Sequence, residues 1–203
     1  MSARLASHRT AILDAMYALR HHEFTVEDYF EHELSSRARH EFYDGAILVM
    51  SGASTRHVTI TGNTFVALHR RVGRACRAFV SEQRIVTGDD LYTYPDVLVA
   101  CGALDFYKVQ GTGTLRNPSL LVEVLSPSTR SYDLGEKLAH YQTIASLKEV
   151  IFIEQDIVDV LHLRRAASGW EQERFVTLTD VIPLRTLRRG LPLSEVYARA
   201  FEL

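Results

Sequence analysis

Apolar residues occur mostly in short runs along this chain, and spacing typical of helices is confined to a few segments. The clearest run is Leu120 to Leu125, which is aliphatic apart from Glu123 and lies between Pro118 and Pro127. A short apolar run bounded by turn residues is typical of a strand buried on both faces. Glu123 is therefore predicted to be a carboxylate inside a sheet, where its charge costs several kcal/mol unless a cation or hydrogen bonds compensate it.

A second acid, Asp96, begins a similar apolar run directly after Pro95. The dipeptide Asp44-Gly45 separates two β-prone runs and predicts a hairpin that carries Glu41 on its first arm. Composition and turn residues predict further short strands at residues 75–80, 83–86, 91–94, 96–100, 149–154, 158–163 and 170–176.

Apolar residues at helical spacing predict helices at residues 5–19, 25–34, 57–73, 131–144 and 193–200. The first either packs on the main body or serves as the arm of a homodimer. Thr25 and Asp28 form a capping pair for the second helix, and Gly73 closes the third. Ser131 or Asp133 caps the fourth helix.

The chain has 203 residues, of which 46% are hydrophobic and 24% charged, enough for one well-buried core. We expect one domain over residues 24–203, preceded by a helical extension at residues 1–23. A net charge of −2 gives no general attraction to polyanions, so contact with nucleic acid requires a local basic patch. The third predicted helix ends in such a cluster, which is either a solvated rim or a phosphate-facing patch: Arg70, Arg71, Arg74 and Arg77.

The two cysteines, Cys76 and Cys101, lie among apolar or small residues without a CxxC spacing. This pattern predicts reduced, buried thiols rather than a disulfide, as in a cytoplasmic protein. Apolar stretches stay well below the roughly 18 residues of a membrane span, and the N-terminus has no apolar signal-peptide core. We expect a cytoplasmic location without membrane contact.

The two acids predict a metal site if their strands are neighbours. Two carboxylates about 4 Å apart repel by about 4 kcal/mol at an effective dielectric constant of about 20. A divalent cation removes this repulsion, and carboxylate and carbonyl donors without paired His or Cys favour Mg²⁺ or Mn²⁺ over zinc. Such a site suits phosphoryl transfer, in which the metal polarises the phosphate and activates an attacking water.

The chain contains a set of short motifs: Pro95-Asp96, EVLSPST at residues 123–129, DLGEK at residues 133–137 with Tyr141, Thr25-Val26-x-x-Tyr29, and Glu41-x-x-Asp44-Gly45. Together these motifs resemble one family, the Uma-two branch of the PD-(D/E)XK nucleases, over roughly residues 24–197. The resemblance implies a restriction-endonuclease-like α/β fold, a mixed sheet flanked by helices, with added hairpins and the N-terminal helix. It also implies a metal-dependent endonuclease acting on DNA. A catalytically inactive scaffold of the same fold, binding nucleic acid or protein, is the alternative.

The resemblance also implies roles for particular residues. Asp96, Glu123 and the backbone carbonyl of Val124 would hold Mg²⁺ or Mn²⁺, with Glu41 as an auxiliary acid. Three further residues are expected near this cleft: His57, Gln83 and Tyr141. From its position alone, His57 is either a surface residue in a first helical turn or a group that leans into the cleft.

One position departs from the superfamily pattern. A lysine is expected two residues after the glutamate, on the same face of the strand, but this chain has Leu125 there. Lys137, on the following helix, is the predicted substitute, with its i+4 neighbour Tyr141 beside it.

Overall fold

The structure, a computed structural model, describes residues 23–50, 52–107 and 113–202. The predicted helix at residues 5–19, with most of the predicted extension, lies outside the described residues.

The helices and strands follow one another in a mixed order. The helices are α1 (Val26–Ser35), α2 (Thr55–His69), α3 (Arg130–Tyr132), α4 (Leu138–Gln142) and α5 (Leu193–Val196), and a π-helical turn, Asp133–Lys137, joins α3 to α4. The strands are β1 (His40–Tyr43), β2 (Ala46–Val49), β3 (Cys76–Val80), β4 (Ile85–Val86), β5 (Tyr92–Thr93), β6 (Val97–Cys101), β7 (Phe106–Tyr107), β8 (Thr114–Leu115), β9 (Leu120–Leu125), β10 (Glu149–Glu154), β11 (Val160–Ala166), β12 (Gly169–Phe175), β13 (Val181–Leu184) and β14 (Arg189–Pro192).

A six-stranded mixed sheet with the order β12-β11-β10-β9-β6-β3 forms the centre of the fold. Strands β9 and β10 are parallel, and the other neighbours in this sheet are antiparallel. A second sheet has the order β2-β1-β5-β4-β8-β7, and β13 pairs with β14 in a separate hairpin. The predicted architecture, a mixed sheet with helices and added hairpins, is confirmed.

Strand β9 is the centre of the core, as the apolar run predicts, because all six of its residues are buried. Its alternate side chains enter two different clusters. Val122 and Val124 pack with Ile60 of α2, whereas Leu121 and Leu125 pack in a second cluster around α4. Elements cover both faces of the central sheet here, which explains why polar alternation is missing from this strand.

Local signals placed several elements correctly. Thr25 and Asp28 form the predicted capping box, in which each side chain bonds to the other residue's backbone N–H. Asp44 and Gly45 have φ angles of 49° and 73°, the left-handed conformation that a tight hairpin turn requires. The predicted hairpins at Asp44-Gly45 and after Glu149–Glu154 are confirmed.

Three helix predictions need correction. Helix α2 ends at His69 rather than continuing to Gly73. The segment predicted as one helix at residues 131–144 begins at Arg130 and contains the π-helical turn. The closing helix ends at Val196, before the left-handed residue Arg199 (φ 57°), and the β13–β14 hairpin was not predicted.

The prediction of reduced cysteines is also wrong. Cys76 and Cys101 lie directly opposite each other on the antiparallel pair β3 and β6, and a disulfide joins them. The pairing follows from the strand register, which the spacing of the two cysteines in the sequence does not indicate.

Among the described residues, no helix is long and apolar enough to cross a bilayer.

Candidate active site

Strand register brings Asp96 and Glu123 together. The last pair of the β6–β9 ladder is Val97 with Val122, so one step beyond it Asp96 faces Glu123. Beyond the end of this ladder, a side chain takes the place of the backbone partner: Asp96 Oδ2 accepts a hydrogen bond of 2.7 Å from the backbone N–H of Val124. The N–H and C=O of one strand residue point to the same edge, so the Val124 carbonyl also points toward this end of β6.

Lys137 reaches the same place from the π-helical turn. Its Nζ lies 3.0 Å from Glu123 Oε1, 3.0 Å from Glu41 Oε1 and 3.7 Å from Asp133 Oδ1. The side chain is only 5% exposed. The π-helical turn places both Asp133 and Lys137 inside, and such turns often occur at functional sites.

Glu41 comes from β1 of the second sheet and is one of the three carboxylates that contact Lys137. The Thr93 hydroxyl donates to its Oε1, and the Tyr132 hydroxyl donates to its Oε2 at 3.0 Å. Burial alone would raise the pKa of Glu41, but Lys137 and these hydroxyls outweigh it and lower that pKa. Glu41 is therefore ionised, and it fixes the position of the Lys137 ammonium.

Glu123 is the carboxyl group that retains a proton most easily. Burial raises its pKa to about 8, against the opposing effect of Lys137, and the charges of Asp96 and Asp133 add to the rise. The Tyr141 hydroxyl donates a hydrogen bond to its Oε1. Burial would lower the pKa of Lys137, but the surrounding carboxylates raise it well above its ordinary value. The lysine is charged, and Glu123 takes up a proton near neutral pH.

His57 leans into the cleft, which decides between its two predicted positions. Ser54 caps α2 by accepting the His57 backbone N–H at 3.1 Å, and the imidazole Nε2 lies 2.9 Å from Asp96 Oδ1. Burial would lower the pKa of His57, but the hydrogen bond to Asp96 and the charges of Asp96, Glu123 and Asp133 together outweigh it and raise that pKa. Asp96 is thus held through both oxygens, by His57 and by Val124.

Comparisons with known proteins identify the family of this chain. A family model described as "Putative restriction endonuclease" matches residues 26–194. The chain belongs to the Uma2 family. Two uncharacterized proteins of Synechocystis sp. are 33% identical to it: sll1609 over 70% of this chain and 80% of its own length, and slr1290 over 86% and 92%.

A solved structure confirms the fold of this Uma2 chain. It is titled a putative nuclease belonging to DUF820 from Anabaena variabilis, and it aligns with a TM-score of 0.67 at 20% identity. The alignment covers 82% of this chain and 93% of that one. The Uma2 chain therefore has a nuclease-like fold, and the predicted family is confirmed.

Gln83 has a different environment from the acids. Its side-chain amide donates hydrogen bonds of 2.9 Å to the Arg84 carbonyl and 3.0 Å to the Gly113 carbonyl. These bonds join the segment before β4 to the segment before β8, whose strands are paired. The structure thus gives this predicted cleft neighbour a role in holding the backbone.

The predicted arginine cluster lies at the far end of α2 from His57. Arg70 lies thirteen positions after His57, which corresponds to about 20 Å at about 1.5 Å per helical residue. Arg71 forms a two-pronged ion pair with Glu195, at 2.6 and 2.8 Å, and also donates to the Gly190 carbonyl at 2.7 Å. Three arginines of the cluster remain exposed on this surface: Arg70, Arg74 and Arg77.

Sequence reasoning missed three groups that complete the Uma2 cleft: Thr93, Tyr132 and Asp133. The sequence indicates Asp133 only as a helix cap and as a residue of the DLGEK motif, yet it lies four residues before Lys137 and forms an ion pair with it. That i, i+4 spacing was the available signal for Asp133. No comparable signal marks Thr93 or Tyr132, since their contacts with Glu41 depend on how the second sheet packs.

The donor set of the cleft fits a hard divalent cation. Four carboxyl groups, those of Glu41, Asp96, Glu123 and Asp133, lie together with a single lysine ammonium. Burial is the main cause of the raised pKa of Glu123, and the charges of Asp96 and Asp133 add to the rise although Lys137 opposes it. Within the described ranges, no group of three or more His, Cys, Asp or Glu side chains has metal-binding geometry. A cation held by Asp96 and Glu123 would therefore need backbone or water oxygen as well, as Mg²⁺ usually does.

Proposed function

We propose that this Uma2 protein is a divalent-metal-dependent endonuclease that hydrolyses phosphodiester bonds in DNA. The observation that carries the proposal is a cluster of four acids: Glu41, Glu123 and Asp133 contact the buried Lys137, and Asp96 lies opposite Glu123. The family model is described as "Putative restriction endonuclease". Buried carboxyl groups at this density cost stability, because the desolvation of each charge must be compensated. A catalytic cation that balances them supplies the reason to keep them.

Mg²⁺ or Mn²⁺ would be held by Asp96, Glu123 and the carbonyl oxygen of Val124. When bound, such an ion polarises a phosphate oxygen and lowers the pKa of an attacking water. The carboxylate of Asp96 is already oriented by His57 and by the Val124 N–H, so it is preorganised as a ligand. Glu123 would lose its proton to serve as the second ligand.

Lys137 supplies positive charge next to the place where the phosphate reacts. Its ammonium is charged and buried, and Glu41 holds it 3.0 Å from Glu123. A fixed cation in a site that excludes water stabilises negative charge that develops on the phosphoryl oxygens. Thr93 and Tyr132 support this arrangement indirectly, because their hydroxyls donate hydrogen bonds to the two carboxylate oxygens of Glu41.

An inactive scaffold that binds nucleic acid is the second candidate, and one observation favours it. Leu125, at the usual position of the superfamily lysine, is buried in the core cluster around α4 and is only 2% exposed. If Lys137 serves only to neutralise Glu41 and Glu123, the cleft binds without cleaving.

Cleavage assays separate the two functions. The protein would be incubated with supercoiled plasmid, linear single-stranded DNA and RNA of matching sequence, each with Mg²⁺, with Mn²⁺ or with EDTA. We expect the plasmid to be nicked or linearised only with a metal ion, and cleavage of a closed circle requires endonuclease action. Binding to DNA without cleavage under every metal condition would instead favour the scaffold.

Metal binding can be tested without activity. We expect saturating Mg²⁺ or Mn²⁺ to raise the melting temperature, because a ligand at one hundred times its Kd stabilises the native state by about 2.7 kcal/mol. The Asp96→Asn protein should lose this rise. Asp105→Asn is the matched control, since Asp105 lies on the surface in an ion pair with Arg116 and should keep the full shift. An equal shift in the Asp96→Asn protein would place the metal elsewhere.

The exposed arginines from the end of α2 into β3, Arg70, Arg74 and Arg77, can be tested as a phosphate-facing patch. Replacing Arg70, Arg74 and Arg77 with glutamine should flatten the salt dependence of DNA binding. Binding with fewer phosphate contacts releases fewer counterions from the DNA. Arg71 is left in place since it holds Glu195. An unchanged slope would identify the cluster as a solvated rim.

A further inference from the structure

Two histidines face each other where α1 meets β1, outside the acidic cleft. His32 lies in the last turn of α1, and His40 is the first residue of β1. Their Nε2 atoms are 3.3 Å apart, and their ring planes are inclined at 74°. His40 is buried, whereas His32 is partly exposed, so solvent reaches the pair from one side.

A buried carboxylate fixes the tautomer of His40. Its Nδ1 lies 2.7 Å from Glu33 Oε1, and the Tyr94 hydroxyl donates to Glu33 Oε2 at 2.6 Å. Because a carboxylate can only accept, this contact favours the tautomer of His40 with the proton on Nδ1, which has a lone pair at Nε2. A carboxylate that orients the far nitrogen of a histidine in this way is the usual support of a metal ligand.

The separation of the two nitrogens matches a shared metal ion. Zn–N bonds of about 2.0–2.1 Å at a tetrahedral angle place two nitrogens about 3.3 Å apart. The observed separation of 3.3 Å equals this distance, and without a metal ion the same separation is compatible with an N–H···N hydrogen bond between the two rings. We propose that His32 and His40 form a two-histidine site for a borderline transition-metal ion, such as Zn²⁺, with water completing its coordination.

This site is separate from the acidic cleft in position and in chemistry. His40 and Glu41 are consecutive residues of β1, and their side chains have different partners: Glu33 and His32 for the histidine, Lys137 and Tyr132 for the glutamate. Imidazole ligands select zinc, copper or nickel, whereas the carboxylates of the cleft suit Mg²⁺ or Mn²⁺. A metal ion bound by both histidines would join α1 to β1. Metal binding would then stabilise the second sheet, and this effect does not depend on nuclease activity.

The test is a Zn²⁺ titration followed by calorimetry and thermal denaturation, in an Asp96→Asn background that removes a ligand of the acidic cleft. We expect one Zn²⁺ per chain and a rise in melting temperature. His32→Ala should weaken binding at least tenfold, the loss seen even when only a supporting residue of a metal site is removed. His69→Ala is the matched control, because His69 occupies the last turn of α2 and is exposed. It should bind Zn²⁺ unchanged.

A second variant tests the support of His40. Glu33→Gln should weaken Zn²⁺ binding about 10- to 100-fold, because the amide is a weaker orienting acceptor than the carboxylate. Zn²⁺ binding of equal affinity in the parent and the His32→Ala protein, or no stoichiometric binding to the parent, would overturn the proposal. Neither result bears on cleavage in the acidic cleft, which is assayed with Mg²⁺ and Mn²⁺.

Discussion

Replacement of Glu123 by glutamine is expected to abolish metal-dependent DNA cleavage, with a loss of at least about a hundredfold. The side chain keeps its size, so the buried strand β9 should still pack. The amide lacks the negative charge of a carboxylate ligand of a divalent cation. It also disturbs the position of Lys137, whose Nζ contacts Glu123 Oε1 at 3.0 Å. The loss of one preorganised electrostatic group costs about a hundredfold to a thousandfold in turnover. Single-turnover cleavage of plasmid with Mg²⁺ measures it.

The same substitution should change the pH dependence of stability. Glu123 has a pKa of about 8 in the folded protein against an ordinary value of 4.5, so the native state holds a proton that the unfolded chain releases. This group therefore lowers the free energy of unfolding as the pH rises from about 4.5 to about 8. The Glu123→Gln protein does not lose this stability. Its free energy of unfolding, relative to that of wild type, should therefore rise by more than about 1 kcal/mol between pH 5 and pH 8.

Denaturant unfolding at the two pH values provides the measurement. Glu171→Gln is the matched control, since Glu171 is an exposed acid on β12 and its replacement should alter neither cleavage nor the pH profile. If Glu123→Gln cuts DNA at the wild-type rate, the carboxylate is not a ligand of the catalytic ion. If its pH profile matches that of wild type, Glu123 is ionised in the folded state at neutral pH.

Lys137→Met is expected to have the largest combined effect on activity and stability. Methionine fills a similar volume but leaves Glu41, Glu123 and Asp133 buried without their shared cation. Removal of one partner of a buried ion pair typically costs about 3–5 kcal/mol, and here it also removes the ammonium charge that would act on the phosphate beside the metal ion. We expect the free energy of unfolding to fall by about that amount and turnover to drop about a hundredfold or more.

A double variant separates the two effects. Combining Lys137→Met with Glu123→Gln removes one of the uncompensated carboxylates, so it should recover part of the lost stability. The double variant should recover no activity, since both the Lys137 ammonium and the Glu123 carboxylate are missing. A Lys137→Met protein with normal turnover would limit the lysine to charge compensation. Normal stability together with lost turnover would show that the buried carboxyl groups take up protons when the lysine is absent.

The sequence by itself determined the elements whose signals are local. An apolar run between two prolines was enough to predict β9, and Asp44-Gly45 was enough to predict the β1–β2 turn, because turn geometry restricts which residues fit. The buried acid in β9 also identified Glu123 as a residue that needs a partner. The family, the fold class and the proposal of Lys137 as the substitute lysine came from motifs in the sequence.

Tertiary structure decided which distant groups meet. The register of β6 against β9 sets Asp96 opposite Glu123, and the register of β3 against β6 sets Cys76 opposite Cys101. A change of register by one residue would turn these side chains to other neighbours without altering the apolar pattern. The disulfide was therefore mispredicted.

The contacts of charged side chains were the least visible in the sequence. Arg71 is 124 residues from Glu195, its ion-pair partner, and the local pattern around it is the same for a solvated rim and a phosphate site. Lys137 was predicted on a regular helix, but a π-helical turn directs it toward Glu41, which arrives from another sheet. Such pairings depend on how whole elements pack, because a long side chain reaches whichever opposite charge the fold places near it.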